Sequence, residues 1–570
     1  MPPQRAAQPT LICLAILAAF AGSPSVSRAQ FTAITKNPLG DNGSGFGAAW
    51  GDYDGDGDQD LYVTNDGPNL LIRNEGGGNF TDVTSPPLDN GDNGGAAVWA
   101  DYDNDGDLDL YLVNYGTANK LFRNDGAGVF TDVTSGPLGD TSAGQGAAWA
   151  DYDLDGDVDL YLVNYLVPNK LFRNDGGGVF TDATSGPLAD AGWGLAVAWG
   201  DYDNDGDPDL YITNDGPNRL LRNDGGGVFT RIAGLQIEDG GPGQGAAWAD
   251  YDNDGDLDLY VANYGTANKL IRNDGGDKFT QITTGALGDL GNSTGVAWGD
   301  YDNDGDLDIY LANYGTANRL LRNDGGDVFT AIADAPLGDT GNGTGVAWCD
   351  YDRDGDLDLY LVNDGQPNVL LRNDLASGNH WLEFDLVGVL SNRSAIGARV
   401  RVVAGSVSRI QEVSGGSGYM SQNSLTLEFG LGAATVADSV IVTWPSGIVD
   451  THLALGADQS LTLVELNLTA VGESPSPGIA LALAAPRPNP SRGATRFRFA
   501  LPRAGHVSLT IYDVQGRRVA TLADETRIAG WHTVPWEGRN ALGARVAAGI
   551  YFAKFEALGE VRRQRLIVVR

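Results

Sequence analysis

The stretch Asp52-Tyr53-Asp54-Gly55-Asp56-Gly57-Asp58-Gln59-Asp60, followed by Leu61-Tyr62-Val63, decides how the chain is read. Aspartate stands at its first, third, fifth, seventh and ninth positions and glycine at the sixth. Short loops that ligate a hard cation use this spacing. Positions 1, 3 and 5 offer side-chain oxygens, position 7 a backbone carbonyl and position 9 an oxygen often reached through water, while glycine at position 6 permits the sharp turn. The acidic twelfth ligand and flanking amphipathic helices of a helix–loop–helix calcium site are absent, and a β-type run follows at once. The pattern is a candidate calcium loop set between strands.

One copy could be a polar turn facing water. Seven copies keep aspartate at all five odd positions and glycine at the sixth. The carboxylates fall at Asp52, Asp54, Asp56, Asp58 and Asp60; at Asp101, Asp103, Asp105, Asp107 and Asp109; at Asp151, Asp153, Asp155, Asp157 and Asp159; and at Asp201, Asp203, Asp205, Asp207 and Asp209. They continue at Asp250, Asp252, Asp254, Asp256 and Asp258; at Asp300, Asp302, Asp304, Asp306 and Asp308; and at Asp350, Asp352, Asp354, Asp356 and Asp358. A like-charge pair at ~4 Å costs a few kcal/mol at an effective dielectric of ~20, so such loops depend on a bound cation. All-oxygen, carboxylate-rich donors suit calcium, whereas magnesium keeps several waters in octahedral sites. About seven structural Ca2+ ions are expected. The fourth position varies (Asn104, Asn204, Asn253, Asn303, Gly55, Leu154, Arg353), so it is read as a spacer and not a ligand.

The formal net charge of −38 is largely explained by these loops, and seven divalent ions would bring it to about −24. Such a surface excludes nucleic acid, which needs a basic stripe. Arg5, the apolar run from Leu11 to Ala21, and Ser27-Arg28-Ala29 read as a secretory signal peptide over 1–29. Cys13 lacks the preceding small residue of a lipoprotein site. Without the leader only Cys349 remains, in a slot filled by glycine or alanine in the other repeats, so no internal disulfide can staple the exported chain. No later segment is long and apolar enough to span a membrane. The localisation expected is secreted, with attachment to the cell surface as the variant.

Loop starts are spaced by 49, 50, 50, 49, 50 and 50 residues, a period that signals a propeller or solenoid. Each unit offers four short strands, as in Ala48-Ala49-Trp50, Leu61 to Thr64, Leu70 to Arg73 and Phe80 to Thr84, separated by Gly/Asn/Asp turns. Four strands per unit means propeller blades. The Phe-Thr strand appears at Phe31, before the first loop, and is missing after the seventh. The fold expected is therefore all-β: a seven-bladed β-propeller closed by its N-terminal strand over 30–378. The tryptophan before each loop (Trp50, Trp99, Trp149, Trp199, Trp248, Trp298, Trp348) is expected to pack between blades. Tyr115, Tyr165, Tyr264 and Tyr314, in a loop of variable length, are the ligand candidates; Asp66, Asp215 and Asp364 take their place in the other blades.

These repeats resemble the FG-GAP/VCBS family, whose integrin-like members bind calcium in DxDGD-type loops between strands. The likeness runs from about Phe31 to Asp374, although the Phe-Gly signature itself occurs only at Phe46-Gly47. Beyond the repeats, alternation in Trp381 to Leu386 and Ala398 to Val403 reads as half-buried strands of a small β-sandwich or barrel over 379–466. There Ser391-Asn392-Arg393, Gly415-Gly416-Ser417-Gly418-Tyr419, Phe429-Gly430-Leu431-Gly432 and Trp444-Pro445-Ser446-Gly447 resemble the ASPIC/UnbV domain. The glycine-rich run Gly415 to Tyr419 is read as a hairpin turn, with a backbone anion cradle as the alternative. A linker over 467–486 contains Ser474-Pro475-Ser476-Pro477. The last segment, 487–570, carries 15 Lys plus Arg against 6 Asp plus Glu. Its Ile511 to Arg517, Ala529 to His532 and Trp536-Glu537-Gly538-Arg539 resemble the FlgD-like Ig fold and related sorting domains of type IX secretion. That resemblance implies an Ig-like sandwich and a role with export machinery or the cell envelope.

Two functions remain. The first is a non-catalytic adhesion module on a calcium-held propeller, binding extracellular glycan or protein partners. The alternative is an extracellular polysaccharide lyase or hydrolase on the same scaffold. All four histidines (His380, His452, His506, His532) lie outside the repeats, and no nucleophile elbow, phosphate loop or zinc spacing occurs. Glu238, in an irregular inter-blade segment, has no unusual acid paired with it in sequence, and Glu75 stands where other blades have aspartate. The binding reading is favoured and no catalytic residue is assigned.

Overall fold

A computed structural model describes residues 31–465, apart from 235 and 376, and 482–569, apart from 484–485, 487–488, 490, 492–494, 502–504, 528–529, 537, 541–543 and 559. The leader read over 1–29 and most of the linker read over 467–486 lie outside the described residues.

The second repeat shows how a blade is made. Its strands are Gly94–Ala100, Asp109–Asn114, Lys120–Asn124 and Phe130–Asp132. They pair antiparallel with Trp99 opposite Leu110, Leu110 opposite Phe122 and Phe122 opposite Asp132. Small residues fill most of the inner strand and Leu110, Tyr111, Leu112 and Val113 the second, and every residue of both is buried because each blade is covered on both faces. Among the described residues, seven four-stranded sheets are of this kind. In six of them the four strands are consecutive. In the seventh, Phe31–Ile34 pairs with Val369–Asn373, Phe31 facing Asn373 and Ile34 facing Leu370, so the chain's first strand is the outer strand of its last blade.

Aromatics join the blades. Trp99 Nε1–H donates to the Ala49 carbonyl of the preceding blade (3.3 Å), and Trp50 Nε1–H to Ala347 (3.4 Å), which carries the pattern from seventh blade to first. The Trp99 indole stacks on Tyr53 (6.2 Å, 12°) and meets the edge of Tyr62 (6.3 Å, 88°). These rings are inter-blade core.

The carboxylate loops lie at one end of every blade, between inner and second strand. The Tyr115-type loops follow the second strand and lie at the other end.

Residues 380–465 form two facing sheets. Strand His380–Val387 runs between Leu427–Gly432 and, parallel to it, Gln459–Val464; the other sheet has the order Val407–Glu412, Arg399–Ala404, Val436–Thr443, Val449–Gly456. Leu382, Phe384, Val400, Val402, Val440 and Trp444 fill the space between them.

The glycine-rich stretch does turn back on itself, Ser417 N–H donating to Ser421 O (3.3 Å) in an antiparallel bridge, but it does more than turn. Residues 414–424 enter the middle of the ring and pair with the exposed edges of its inner strands. Trp149 N–H donates to Gly415 O (3.0 Å), Gly418 N–H to Ala246 O (2.8 Å), Gln422 N–H to Ala48 O (2.9 Å) and Ser424 N–H to Trp348 O (3.2 Å). The Gln422 side chain accepts from Trp99 N–H (2.6 Å) and donates to Trp99 O (3.0 Å). Inner-strand edges left unpaired are costly where they are buried, and this segment pairs those of the first, second, third, fifth and seventh blades. Glycine is required where backbones meet: a Cβ on Gly47 would lie 1.8 Å from Met420 O, and one on Gly415 would lie 2.3 Å from Trp149 O.

The last domain also has two sheets, Ala482–Leu483 with Thr495–Leu501 and Gly530–Trp536, and Arg518–Arg527 with Gly505–Asp513, Gly549–Ala557 and Glu560–Val568. Its short strand Ala482–Leu483 falls inside the stretch read as linker and pairs with Phe499 and Ala500.

Candidate metal centres

In the second loop the carboxylates are aimed by the backbone. Asp101 accepts from Asp105 N–H (3.0 Å) and Gly106 N–H (2.7 Å), and Asp109 from Asn124 N–H (2.8 Å) and Tyr102 N–H (3.2 Å). These clamps turn one oxygen each of Asp101, Asp103 and Asp109 to within 4.8 Å of one another. Positions 1, 3 and 9 converge likewise in Asp52, Asp54 and Asp60, in Asp151, Asp153 and Asp159, and in Asp201, Asp203 and Asp209; in the fifth loop the trio is Asp250, Asp252 and Asp254. Several of these oxygens are buried with no hydrogen-bond partner: Oδ1 of Asp103, Asp153, Asp203, Asp302 and Asp352, and Oδ2 of Asp60 and Asp258. Buried acceptors left unpaired at equivalent places in successive blades fit a cation.

Electrostatics agree. Without an ion, burial, with the neighbouring carboxylates adding to it, pushes Asp60 up to about 8 and Asp109 and Asp258 to about 9. Position 1 moves the same way, Asp52 to about 6 and Asp101 and Asp250 to about 7, with burial again the main cause. Ionising these groups together requires a positive charge among them.

The seventh-position carboxylates do not join the clusters. They turn to the preceding loop, where Asn104 Nδ2–H donates to Asp157 (2.8 Å), Asn253 to Asp306 (2.9 Å) and Asn303 to Asp356 (2.9 Å). Arg353 reaches Asp58 (3.6 Å) and carries this chain of clips from seventh blade to first. Where it is Asn or Arg the spacer is thus an inter-loop clip, a role missed in the sequence, whereas Gly55 and Leu154 carry no side-chain donor to make one. Its left-handed backbone, φ 61° at Asn104 and 56° at Asn303, is the signal that could have found it, since asparagine and glycine tolerate that conformation best.

The loop end of the ring is also where 380–465 docks. Asp101 N–H donates to Ser394 Oγ (2.8 Å), Arg399 donates to Asp201 O (2.7 Å), Arg409 to Gly305 O (2.6 Å) and Gly432 N–H to Asn303 O (2.9 Å). At the opposite end Tyr115, Tyr264 and Trp193 are exposed, and Tyr165 packs against Trp193 (5.7 Å, 47°). Tyr314 donates to Asp364 (2.9 Å). The acids weighed for catalysis are tied up in ion pairs, Glu238 with Arg231 and Glu75 with Arg73, each at 2.5 Å.

Fold and loops together define a β-propeller whose blades each present a carboxylate loop. The FG-GAP-like repeat model matches at 52–112, 101–162, 151–212, 201–261, 250–311 and 300–361, spanning more than half of the 570 residues. The chain belongs to the FG-GAP-like repeat family. The ASPIC and UnbV model matches 388–470, and the FlgD Ig-like domain model 489–560. No curated protein matches the chain. Among solved structures, the BP39L lectin from Burkholderia pseudomallei is 14% identical, covering 58% of this chain and 96% of its own at a TM-score of 0.43. BBS1N in complex with ARL6DN is 13% identical (61% and 98% covered, TM-score 0.43). An Agrocybe aegerita protein that recognises non-reducing terminal N-acetylglucosamine is 17% identical (61% and 90%, TM-score 0.38).

Proposed function

We propose that the protein is a secreted or cell-surface, calcium-held propeller acting as a non-catalytic binding module for extracellular glycan or protein partners. The exposed aromatic end carries this reading, because residues 414–424 enter the channel and 380–465 dock on part of the loop end. The other end stays open to a partner, with Tyr115, Tyr264 and Trp193 exposed around it, and at the loop end a cavity of about 2490 Å³ remains between Asp205, Trp248, Glu412 and Arg496. Aromatic rings there supply stacking area at low entropy cost.

Calcium, about seven ions through the aspartates of positions 1, 3, 5 and 9 and the carbonyl of position 7, stiffens the loops and takes no part in chemistry. The unpartnered buried oxygens support this assignment. The leader read over 1–29 supports export and the FlgD-like last domain supports delivery to or retention at the envelope, while its Arg496, 3.4 Å from Asp207, supports docking of its basic surface on the acidic ring. Among the described residues no helix is long and apolar enough to cross a membrane.

The test is a glycan and surface-protein array probed with the full chain and with Y165A/W193A. Binding in calcium that the double variant loses supports the reading; substrate turnover abolished by Glu238→Gln would replace it with the polysaccharide-active alternative.

A further inference from the structure

Glu383 and Glu428 face each other directly across the antiparallel strands His380–Val387 and Leu427–Gly432. Like charges in that register repel. The face they share is turned onto the ring. Trp381, two residues before Glu383 and so on the same face, lies so close to Gly355 of the seventh loop that a Cβ there would come within 1.9 Å of its indole. Gly430, two residues after Glu428, meets the sixth loop, where its Cβ would lie 2.0 Å from Asp300 Oδ2. Both glutamates thus face the loop end, where Asp350, the first aspartate of the seventh loop, accepts from Gly355 N–H (2.8 Å) beside Trp381. Its carboxyl is within hydrogen-bonding reach of Glu383 and is also a near charge for Glu428.

Glu383 is only 5% exposed, and its Oε1 has no hydrogen-bond partner. A second orphan oxygen belongs to the same interface: Gln59 Oε1 is buried without a partner while its Nε2–H donates to Thr426 Oγ1 (3.4 Å), beside the Glu428 strand. Elsewhere the docked domain meets the loops with cations of its own, Arg399 at Asp201 and Arg409 at Asp304 and Gly305. At the seventh blade it brings two carboxylates to a third. Burying such a set is unfavourable unless the glutamates keep their protons or a positive charge lies among them, and the unpartnered Oε1 of Glu383 favours the second.

We propose that Asp350, Glu383 and Glu428 hold a calcium-class divalent cation that ties the second domain to the seventh blade. The donors are all hard oxygens, with the Gln59 carbonyl at hand, which suits a large cation of flexible coordination. The site shares Asp350 with the seventh loop and so builds on the calcium reading, but it does not need the other six loops to bind.

The test compares the full chain with E383Q/E428Q, which keeps side-chain shape and removes two charges, by native mass spectrometry and calcium titration calorimetry. The expected result is the loss of one ion, or at least a tenfold weakening of one site, with the remaining ions unchanged. Equal ion counts with every affinity within about twofold overturns the proposal. If instead the loops bind nothing, the wild-type chain holds a single ion and the variant none. E383Q alone serves the same comparison if the double variant does not fold.

Discussion

Gln422 is the residue by which the second domain grips the ring, and Gln422→Ala measures that grip. Its side chain is 1% exposed, accepts from Trp99 N–H at 2.6 Å and donates to Trp99 O at 3.0 Å. Alanine leaves both backbone groups of an inner strand without partners in the channel. A buried polar group stranded in this way costs about 1–3 kcal/mol, so the variant loses about 2–5 kcal/mol. The main-chain contacts of residue 422, to Ala48 O and from Trp50 N–H, stay in place, so the loss reports the side chain. Gln422→Glu sharpens the test. It keeps an acceptor for Trp99 N–H but sets a carboxylate oxygen against Trp99 O, and it should destabilise at least as much as alanine. The assay is denaturant unfolding of the full chain in calcium, followed by tryptophan fluorescence. A shift below about 0.5 kcal/mol for Gln422→Ala, the size of an ordinary surface change, would refute the plugged channel.

Three further outcomes are expected. In the calcium-free protein, Asp60, Asp109 and Asp258 hold their protons up to about pH 8–9, well above the carboxylate range of the unfolded chain, so the native state binds more protons between pH 4 and 8 and stability falls as pH rises through that window. Saturating calcium removes this trend; melting curves at pH 5 and pH 8 check it, and a flat calcium-free profile would contradict it. Asn303→Ala deletes donations to Gly355 O and Asp356, both at 2.9 Å, and places alanine at φ 56°; thermal unfolding in calcium should show a loss of about 1–3 kcal/mol. Y165A/W193A should leave melting within about 0.5 kcal/mol, because Trp193 is 45% exposed, while abolishing partner capture; a large destabilisation would mark the pair as structural.

The parts legible in the sequence were those written repeatedly. Strands flanking Asp52–Asp60 recur with the loop, and the unpaired Phe31 segment announced its partner because the seventh repeat lacked its own. Trp99 could be assigned to packing because its equivalents stand at one place in every blade. Contacts made once between distant segments left no such mark. Gly415 to Tyr419 reads as a turn because its partners in the ring are backbone groups of Trp149 and Ala246, which have no side-chain signature. Gly47 was visible as a lone Phe-Gly, yet nothing local said that Met420 O occupies the space its Cβ would need. The spacer reads in sequence only as a variable position, and the pairing of Asn104 with an aspartate some fifty residues on appears only once adjacent loops are side by side. Glu383 and Glu428 look like surface acids of alternating strands until the ring lies beneath them.

The central claim is that cations hold the carboxylate loops in shape. Its most direct test is ion counting by native mass spectrometry on the full chain, paired with melting curves in calcium, magnesium and chelator. At about 100 times its dissociation constant each site adds about 2.7 kcal/mol, so at least seven ions and a large calcium-specific rise in melting temperature are predicted. Equal melting in calcium and chelator, with no ion retained, would contradict the account.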